Sequence, residues 1–316
     1  MQKIAVIGAG MMGSGIAAMA ALAGRTVALA ARSEASARRG RENALACLAQ
    51  LAENGLDVHS PDAAGAPARI LCAKSNEEAV QGAQMVVEAI SEDLGAKQAL
   101  FEQLDELLDA DVPIVSNTSG MRITDIAARV RRYPQRTMTA HFWLPAHLVP
   151  LVEIVLWEKT DRAMALAVRE ELRAWDKQPV LVNRDLPGQL ANRILQAVIR
   201  EASNIVASGL ASAEDVDTAV KAGMGLRFPA WGPLEHVDAV GLDLCLSVQE
   251  NVLPGLDNGT DNAAMRRLVA QGQLGHKTRH GFYDWTQKDM DALVRRRDAC
   301  IIAARRALQD IHEEKG

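Results

Sequence analysis

The strongest constraint on the fold of this chain lies between residues 3 and 33. A short apolar run, Lys3-Ile4-Ala5-Val6-Ile7, leads directly into Gly8-x-Gly10-x-x-Gly13; an Ala-rich helical pattern follows, and then a second apolar run, Thr26–Ala30. Strand, tight turn and helix, in that order, form the context in which such a loop binds a dinucleotide. Gly8 permits the turn, Gly10 lets the backbone approach a pyrophosphate, and Gly13 allows the helix to pack closely on the strand. The anion then rests on the open N–H groups where the helix begins, at Met11 and Met12. The competing reading is a glycine-rich turn with no ligand. A second competing reading takes the nearly uncharged stretch from Ile4 to Ala23 as a signal peptide or membrane span. Gly8, Gly10 and Gly13 would break that helix, and no basic segment precedes it, so the stretch reads as a strand plus a helix.

One part of the fingerprint is missing. The tip of the second strand usually bears an acid that binds the ribose hydroxyls and repels a 2′-phosphate. Here Ala31-Arg32-Ser33 occupies that place. The fingerprint implies a nicotinamide or flavin dinucleotide; for a nicotinamide cofactor the missing acid leaves both NAD and NADP open, with Arg32, Ser33 and Arg38 as candidates for binding a 2′-phosphate.

Strand-like and helix-like stretches alternate through residues 1–184. Strands are expected at Ile4–Ile7, Thr26–Ala30, Ile70–Ala73, Met85–Ala89, Ile114–Ser116, Thr137–Ala140, Leu151–Val155 and Val180–Val182. Helices are expected at Glu34–Asn54, Ala96–Leu108, Thr124–Val130 and Arg162–Trp175, and Gly55–Pro67 reads as a surface loop. The alternation implies a parallel sheet covered on both faces, a Rossmann-type doubly wound α/β domain. After the turn Asp185-Leu-Pro187-Gly188 the strand pattern stops. Helices are expected at Gln189–Ser208, Ser212–Ala222 with a Ser-x-x-Asp cap, Pro233–Val252, Ala263–Gln271 and Met290–Glu314. Residues 185–316 thus read as an all-helical substrate and dimerisation domain, and a homodimer is expected.

Composition narrows the partners. The chain has 316 residues and a net charge of −5, which gives no basic footprint for nucleic acid. No stretch after residue 23 is apolar over a membrane-spanning length. The four cysteines, Cys47, Cys72, Cys245 and Cys300, have no metal-site or redox spacing, and read as thiols of a reducing, cytoplasmic compartment. His276 and His280 are four apart, but glycines flank them and no Glu-x-x motif accompanies them, so no metal is expected.

Four later segments carry the chemistry: Ser116-Asn117-Thr118-Ser119, His141-Phe-Trp-Leu-Pro-Ala-His147, Leu151-Val-Glu153 and Asp185-Leu-Pro-Gly-Gln-Leu-Ala-Asn192-Arg193. The first ends at the carboxyl edge of the sheet, where ligands bind in such folds. Dehydrogenating an alcohol needs a base for the hydroxyl proton while hydride leaves carbon, and an imidazole suits this. Neighbouring strands could bring Glu153 to His141 and fix its tautomer. Ser119 and Asn192 could hold the substrate oxygen. Taken singly, His141 could equally be a satisfied core histidine, Ser119 a turn hydroxyl and Asn192 a surface amide.

In order and spacing these segments resemble the L-3-hydroxyacyl-CoA dehydrogenase family, a broad group that includes 3-hydroxybutyryl-CoA, L-gulonate and carnitine dehydrogenases and lambda-crystallin. The resemblance covers nearly the whole chain. It includes Val86-Val-Glu88-Ala-Ile-x-Glu92 with Lys97, Gly225…Gly232-Pro233, Gly241-Leu-Asp243 and Gly275-His-Lys277-Thr-x-x-Gly281-Phe-Tyr. It implies an oxidoreductase of fatty acid metabolism, with His141 as general base, Glu153 as its partner, and Ser119 and Asn192 at the substrate or nicotinamide. It also implies that Glu92, Lys97, Asn117 and Lys277 contact the cofactor.

The chain departs from the family pattern at three places. Leu144 stands where Asn is usual, Gln189 where an aromatic is usual, and Arg279 where Gly follows Lys-Thr. Phe142, Trp143, Phe228 and Trp231 could wall an altered pocket, or simply pack, and His147 could touch substrate or face solvent. Arg38, Arg39 and Arg41 could meet CoA phosphates, but Ala44–Asn54 has no basic residue. The substrate is therefore a hydroxyacyl-CoA or, alternatively, a non-CoA hydroxy acid or hydroxymethyl compound. A non-catalytic role, crystallin-like or cofactor-sensing, is the alternative of another kind; the presence of Ser119, His141, Glu153 and Asn192 together speaks against it.

Overall fold

The computed structural model describes residues 1–57, 60 and 62–313. Val58, His59 and Pro61 of the expected loop, and Glu314 at the end of the expected last helix, lie outside them. Contacts divide the chain into two compact units, Met1–Leu190 and Ala191–Gly316.

Among the described residues the first unit holds one eight-stranded sheet. Its strands are β1 (Lys3–Ile7), β2 (Thr26–Ala30), β3 (Ile70–Cys72), β4 (Met85–Glu88), β5 (Ile114–Ser116), β6 (Thr137–Phe142), β7 (Leu151–Val155) and β8 (Gln178–Val182), in the spatial order β3-β2-β1-β4-β5-β6-β7-β8. The inner strands are apolar runs rather than alternating ones: Ile4–Ile7, Val27–Ala30 and Met85–Val87 are all buried, as strands covered on both faces require. The first helix, α1 (Met11–Leu22), is buried from Gly13 to Leu22, so its lack of charge reflects a position inside the unit. No helix among the described residues is long and apolar enough to cross a membrane. From β1 the chain winds outward through β2 and β3, then returns to β4 on the other side of β1. The crevice at the carboxyl ends of β1 and β4 is therefore the topological switch point, the place where such sheets bind ligands.

The sheet is not parallel throughout, contrary to the expectation. β1 to β6 are parallel, but β7 runs antiparallel to β6, and β8 lies parallel to β7. The reason is the connection. A parallel return needs a crossover, usually helical. Residues 143–150, with Pro145 and Pro150, form no helix and join neighbouring strand ends directly. The helix Arg162–Arg173 then supplies the crossover from β7 to β8.

In the second unit the Ser212 hydroxyl caps the helix Ala213–Ala219 by accepting from Asp215 N–H at 3.1 Å. The expected helix Pro233–Val252 is two helices, Pro233–Val240 and Leu242–Val252. Gly241 separates them at φ +109°, outside the helical region and open chiefly to glycine. The expected helices at Gln189–Ser208, Ala263–Gln271 and Met290–Glu314 are found at Leu190–Ala207, Ala263–Ala270 and Met290–Glu313.

A buried ion pair fixes the approach to β6. Asp105, on the helix Leu94–Leu107, accepts the backbone N–H groups of Arg131 (2.8 Å), Arg132 (2.7 Å) and Tyr133 (3.1 Å) and the Arg136 guanidinium (3.0 Å). Burial alone would raise the Asp105 pKa, but these donors outweigh it and hold the carboxyl below its ordinary value. A depressed carboxyl contributes stability that is present above the unfolded pKa, near ~3.9, and is lost as pH falls through the folded value. Asp105→Ala should therefore destabilise the protein by about 3 kcal/mol in urea at pH 7, because the buried Arg136 cation loses its counterion. The gap between variant and parent should begin to narrow below about pH 4 and close as pH falls through the depressed pKa of the folded carboxyl.

Candidate active site

The glycine loop owes its shape to contacts that leave no room for a side chain. Gly8 sits at φ +112°, and a Cβ there would lie 2.3 Å from the Ala89 carbonyl oxygen at the end of β4. A Cβ on Gly13 would lie 1.8 Å from the Gly8 carbonyl oxygen, so α1 can pack against the turn only without one. Gly10 is different: a Cβ there would meet nothing within 4 Å. Its bare backbone opens onto free space, and the N-terminus of α1 that follows has no side-chain cap. This is the arrangement a pyrophosphate needs. Met11 is 70% exposed at the same helix start and Met12 half-buried.

A cleft of about 1210 Å³ opens from this loop, lined among others by Gly8, Gly10, Ala31, Arg32, Ser36 and Arg39. Acids line it too: Glu42, Glu77 and Asp93. The basic residues separate by position. Arg32 and Arg39 reach the cleft, and Arg39 donates to the Ser36 hydroxyl at 3.0 Å. Arg38 pairs with Glu34 at 2.6 Å. Arg41 is tied by its guanidinium to the backbone carbonyls of Ile70 and Pro67. The Ser33 hydroxyl caps α2 (Glu34–Glu53) by accepting from Ser36 N–H at 3.2 Å.

Beyond the cleft, buried charge organises the ends of β4 and β5. Lys97 is fully buried, with its ammonium 2.6 Å from Glu88, also fully buried, and 3.6 Å from Glu92. Glu88 further accepts from the Ser116 hydroxyl and from Ile90 N–H. Glu92 accepts the Thr118 hydroxyl (2.9 Å) and both the backbone N–H (2.9 Å) and hydroxyl (3.3 Å) of Ser119. Burial keeps Lys97 from the solvent side; it meets the Ser119 loop through Glu92. The Asn117 side-chain oxygen accepts from Phe142 N–H at 2.8 Å, which joins the end of β5 to that of β6.

The antiparallel β6–β7 pair sets His141 directly opposite Glu153. Imidazole Nδ1 lies 2.7 Å from the carboxylate Oε2; His141 is 6% exposed and Glu153 fully buried. With Nδ1–H donated to the carboxylate, Nε2 is the nitrogen that accepts a proton, and the ionised carboxylate stabilises the imidazolium. Trp143 Nε1–H also donates to Glu153 Oε2, at 3.0 Å.

The structure brings together Gly8, Gly10, Ala31 and Arg32 at the cleft, with Gly13 packed against the Gly8 carbonyl, and joins Ser119 with Glu92 and His141 with Glu153, all in the first unit. Asn192 and Lys277 belong to the second unit, Asn192 on the helix Leu190–Ala207 and Lys277 in the exposed 3-10 turn His276–Thr278. Phe142 does not wall a pocket: it is buried and stacks on Trp175. His147 does not face solvent; it is buried and bonded to Gln50 of α2 at 2.7 Å. Among the described residues no group of three or more His, Cys, Asp or Glu side chains is placed to hold a metal. Glu88, Thr118 and the Trp143 N–H are participants to which the sequence assigned no such contact. Each lies inside a segment already marked, and spacing alone did not separate it from its neighbours.

Comparison with known proteins agrees with the fold. The family described as 3-hydroxyacyl-CoA dehydrogenase, NAD binding domain, matches residues 3–186, and its C-terminal domain matches residues 188–285. The chain is 37% identical over 289 residues to a probable 3-hydroxybutyryl-CoA dehydrogenase of Bacillus subtilis, covering 91% of this chain and 98% of that protein. It is 32% identical over 309 residues to 5-formyl-3-hydroxy-2-methylpyridine 4-carboxylate 5-dehydrogenase of Mesorhizobium japonicum, covering 98% of each. A crystal structure of a dehydrogenase of that same specificity, described as an NAD+ dependent dismutase, superposes with a TM-score of 0.90 at 31% identity, over 98% of this chain and 99% of that one. The (S)-3-hydroxybutyryl-CoA dehydrogenase of Ralstonia eutropha gives 0.73 at 32% identity, over 90% and 99%. The fold, the glycine loop and matches that run the length of both units agree: the chain is an NAD-dependent dehydrogenase acting on a hydroxyl group and belongs to the 3-hydroxyacyl-CoA dehydrogenase family.

Proposed function

We propose that His141 is the general base that takes the hydroxyl proton of the substrate, with Glu153 holding its tautomer. The observation that carries this is the 2.7 Å contact between the buried imidazole and the fully buried carboxylate. NAD, when bound, supplies the hydride acceptor. Gly8, Gly10 and the start of α1 would hold its pyrophosphate, and Ser119, oriented by Glu92, would hold the substrate oxygen as it becomes a carbonyl.

The substrate we propose is a small alcohol or aldehyde bearing a carboxylate, aromatic rather than CoA-linked. The close, full-length likeness to the pyridine-carboxylate dehydrogenase supports this. So does Leu144, apolar and 44% exposed, three residues after His141. So does α2, where Arg41 is engaged with backbone and residues 44–54 carry no basic side chain. An acyl-CoA substrate is the second reading, favoured by the 3-hydroxybutyryl-CoA dehydrogenase relatives. NADP is proposed as an accepted cofactor beside NAD. Ala31 presents no carboxylate to repel a 2′-phosphate, and Arg32, Ser36 and Arg39 line the same wall. The four cysteines are free thiols, which supports a cytoplasmic location. A homodimer formed through the second unit is proposed because that unit exposes Leu226, Phe228, Leu234, Leu242, Leu244 and Leu246, more apolar surface than a lone soluble unit ordinarily shows.

His141→Ala should lower kcat by about 10²–10⁴ with NADH affinity unchanged; retained turnover would remove the assigned role. A kinetic screen of both cofactors against matched CoA and free substrates should favour the free carboxylates, and Ala31→Asp should cut NADP use by at least about tenfold while sparing NAD. Activity on CoA thioesters alone would transfer the assignment to the second reading. Sedimentation at micromolar concentration should give twice the chain mass, and Leu234→Glu with Leu242→Glu should return it to that of one chain.

A further inference from the structure

We propose that Trp143 is a positioning residue for the His141–Glu153 pair and acts through its indole N–H. Glu153 is fully buried, and one of its oxygens, Oε2, takes both the His141 Nδ1 contact at 2.7 Å and the Trp143 Nε1–H bond at 3.0 Å. Trp143 follows β6 directly, two residues on from His141, so its side chain leaves the chain on the same side. The two rings lie 5.8 Å apart, tilted by 53°.

Two donors converging on one oxygen stop the carboxylate from rotating about its last torsion, which is broad in glutamate. A carboxylate oxygen has the lone pairs to accept both donors at once. The indole adds no positive charge, so it stabilises the anion without opposing formation of the imidazolium beside it. Phenylalanine at this position would keep the ring and its packing but remove the donor. Trp143 is given no contact with the reacting atoms; its effect passes through Glu153. The proposal rests on the reading of His141 as the base.

The test is a double-mutant cycle between Trp143→Phe and Glu153→Gln, with kcat, KM and NADH affinity measured for each variant. Trp143→Phe should lower kcat about tenfold, the effect of one hydrogen bond to a charged group, while leaving KM and NADH affinity within about twofold. In the Glu153→Gln background the same change should have less than about a twofold effect, because the ionised acceptor is already gone. Equal losses in both backgrounds, or an unchanged kcat in Trp143→Phe, would overturn the proposal. Where Glu153→Gln turns over too slowly to measure, the proton resonance of His141 Nδ1–H decides: it should move in Trp143→Phe, and an unmoved resonance would overturn the proposal equally. His141→Ala in the same assay separates the two assignments. Turnover retained there removes the base, whereas an inert His141→Ala beside a fully active Trp143→Phe removes only the role of Trp143.

Discussion

The missing side chain of Gly13 is the constraint on which the first unit depends. With no Cβ to meet the Gly8 carbonyl, α1 can sit directly on the turn that leaves β1. Two further close approaches follow along the same structure. A Cβ on Gly15 would come 3.0 Å from the Ala146 Cβ, so α1 also bears on the loop between β6 and β7. A Cβ on Gly40 would come 2.4 Å from the Ala9 Cβ, so α2 bears on the glycine loop from the other side. The glycine loop and the loop after β6 are thus fixed against positions 13 and 15, two residues apart near the start of one short helix.

Buried charge does the second task. Lys97 with Glu88, Arg136 with Asp105, and Glu153 with its two ring donors are each buried and each held by more than one partner, although the Arg136 Nε itself has none. Such pairs add little net stability, because desolvation offsets their attraction, but a misplaced partner is heavily penalised. All three adjoin the strands that carry the site: Lys97 and Glu88 at the end of β4, Asp105 and Arg136 before β6, and Glu153 within β7. The polar interior therefore serves to specify positions.

Most of this architecture was legible in the residues because its causes are local. The glycine spacing located the turn, apolar runs located the strands, and the Ser212 cap located a helix start. The pairing of His141 with Glu153 was readable for the same reason, since the two fall on consecutive strands. What escaped was the direction of β7, which depends on whether residues 143–150 form a crossover, and the break at Gly241, which depends on a backbone angle that an apolar helical pattern does not report. Ser33, marked for the cofactor, also caps α2, a second use that its place before the helix allows. Lys97, marked for the cofactor too, is buried on Glu88, and nothing in its spacing distinguishes a buried ammonium from an exposed one.

The antiparallel return of β7 has a consequence for how such an enzyme diverges. His141 and Glu153 face each other in register within one sheet, so the geometry of the imidazole–carboxylate pair follows from two neighbouring strands of the first unit. Substitutions outside those two strands can alter what surrounds the pair without changing its register. Relatives named for a pyridine carboxylate and for a hydroxyacyl thioester stand at 32% and 37% identity to this chain, which agrees with such separability.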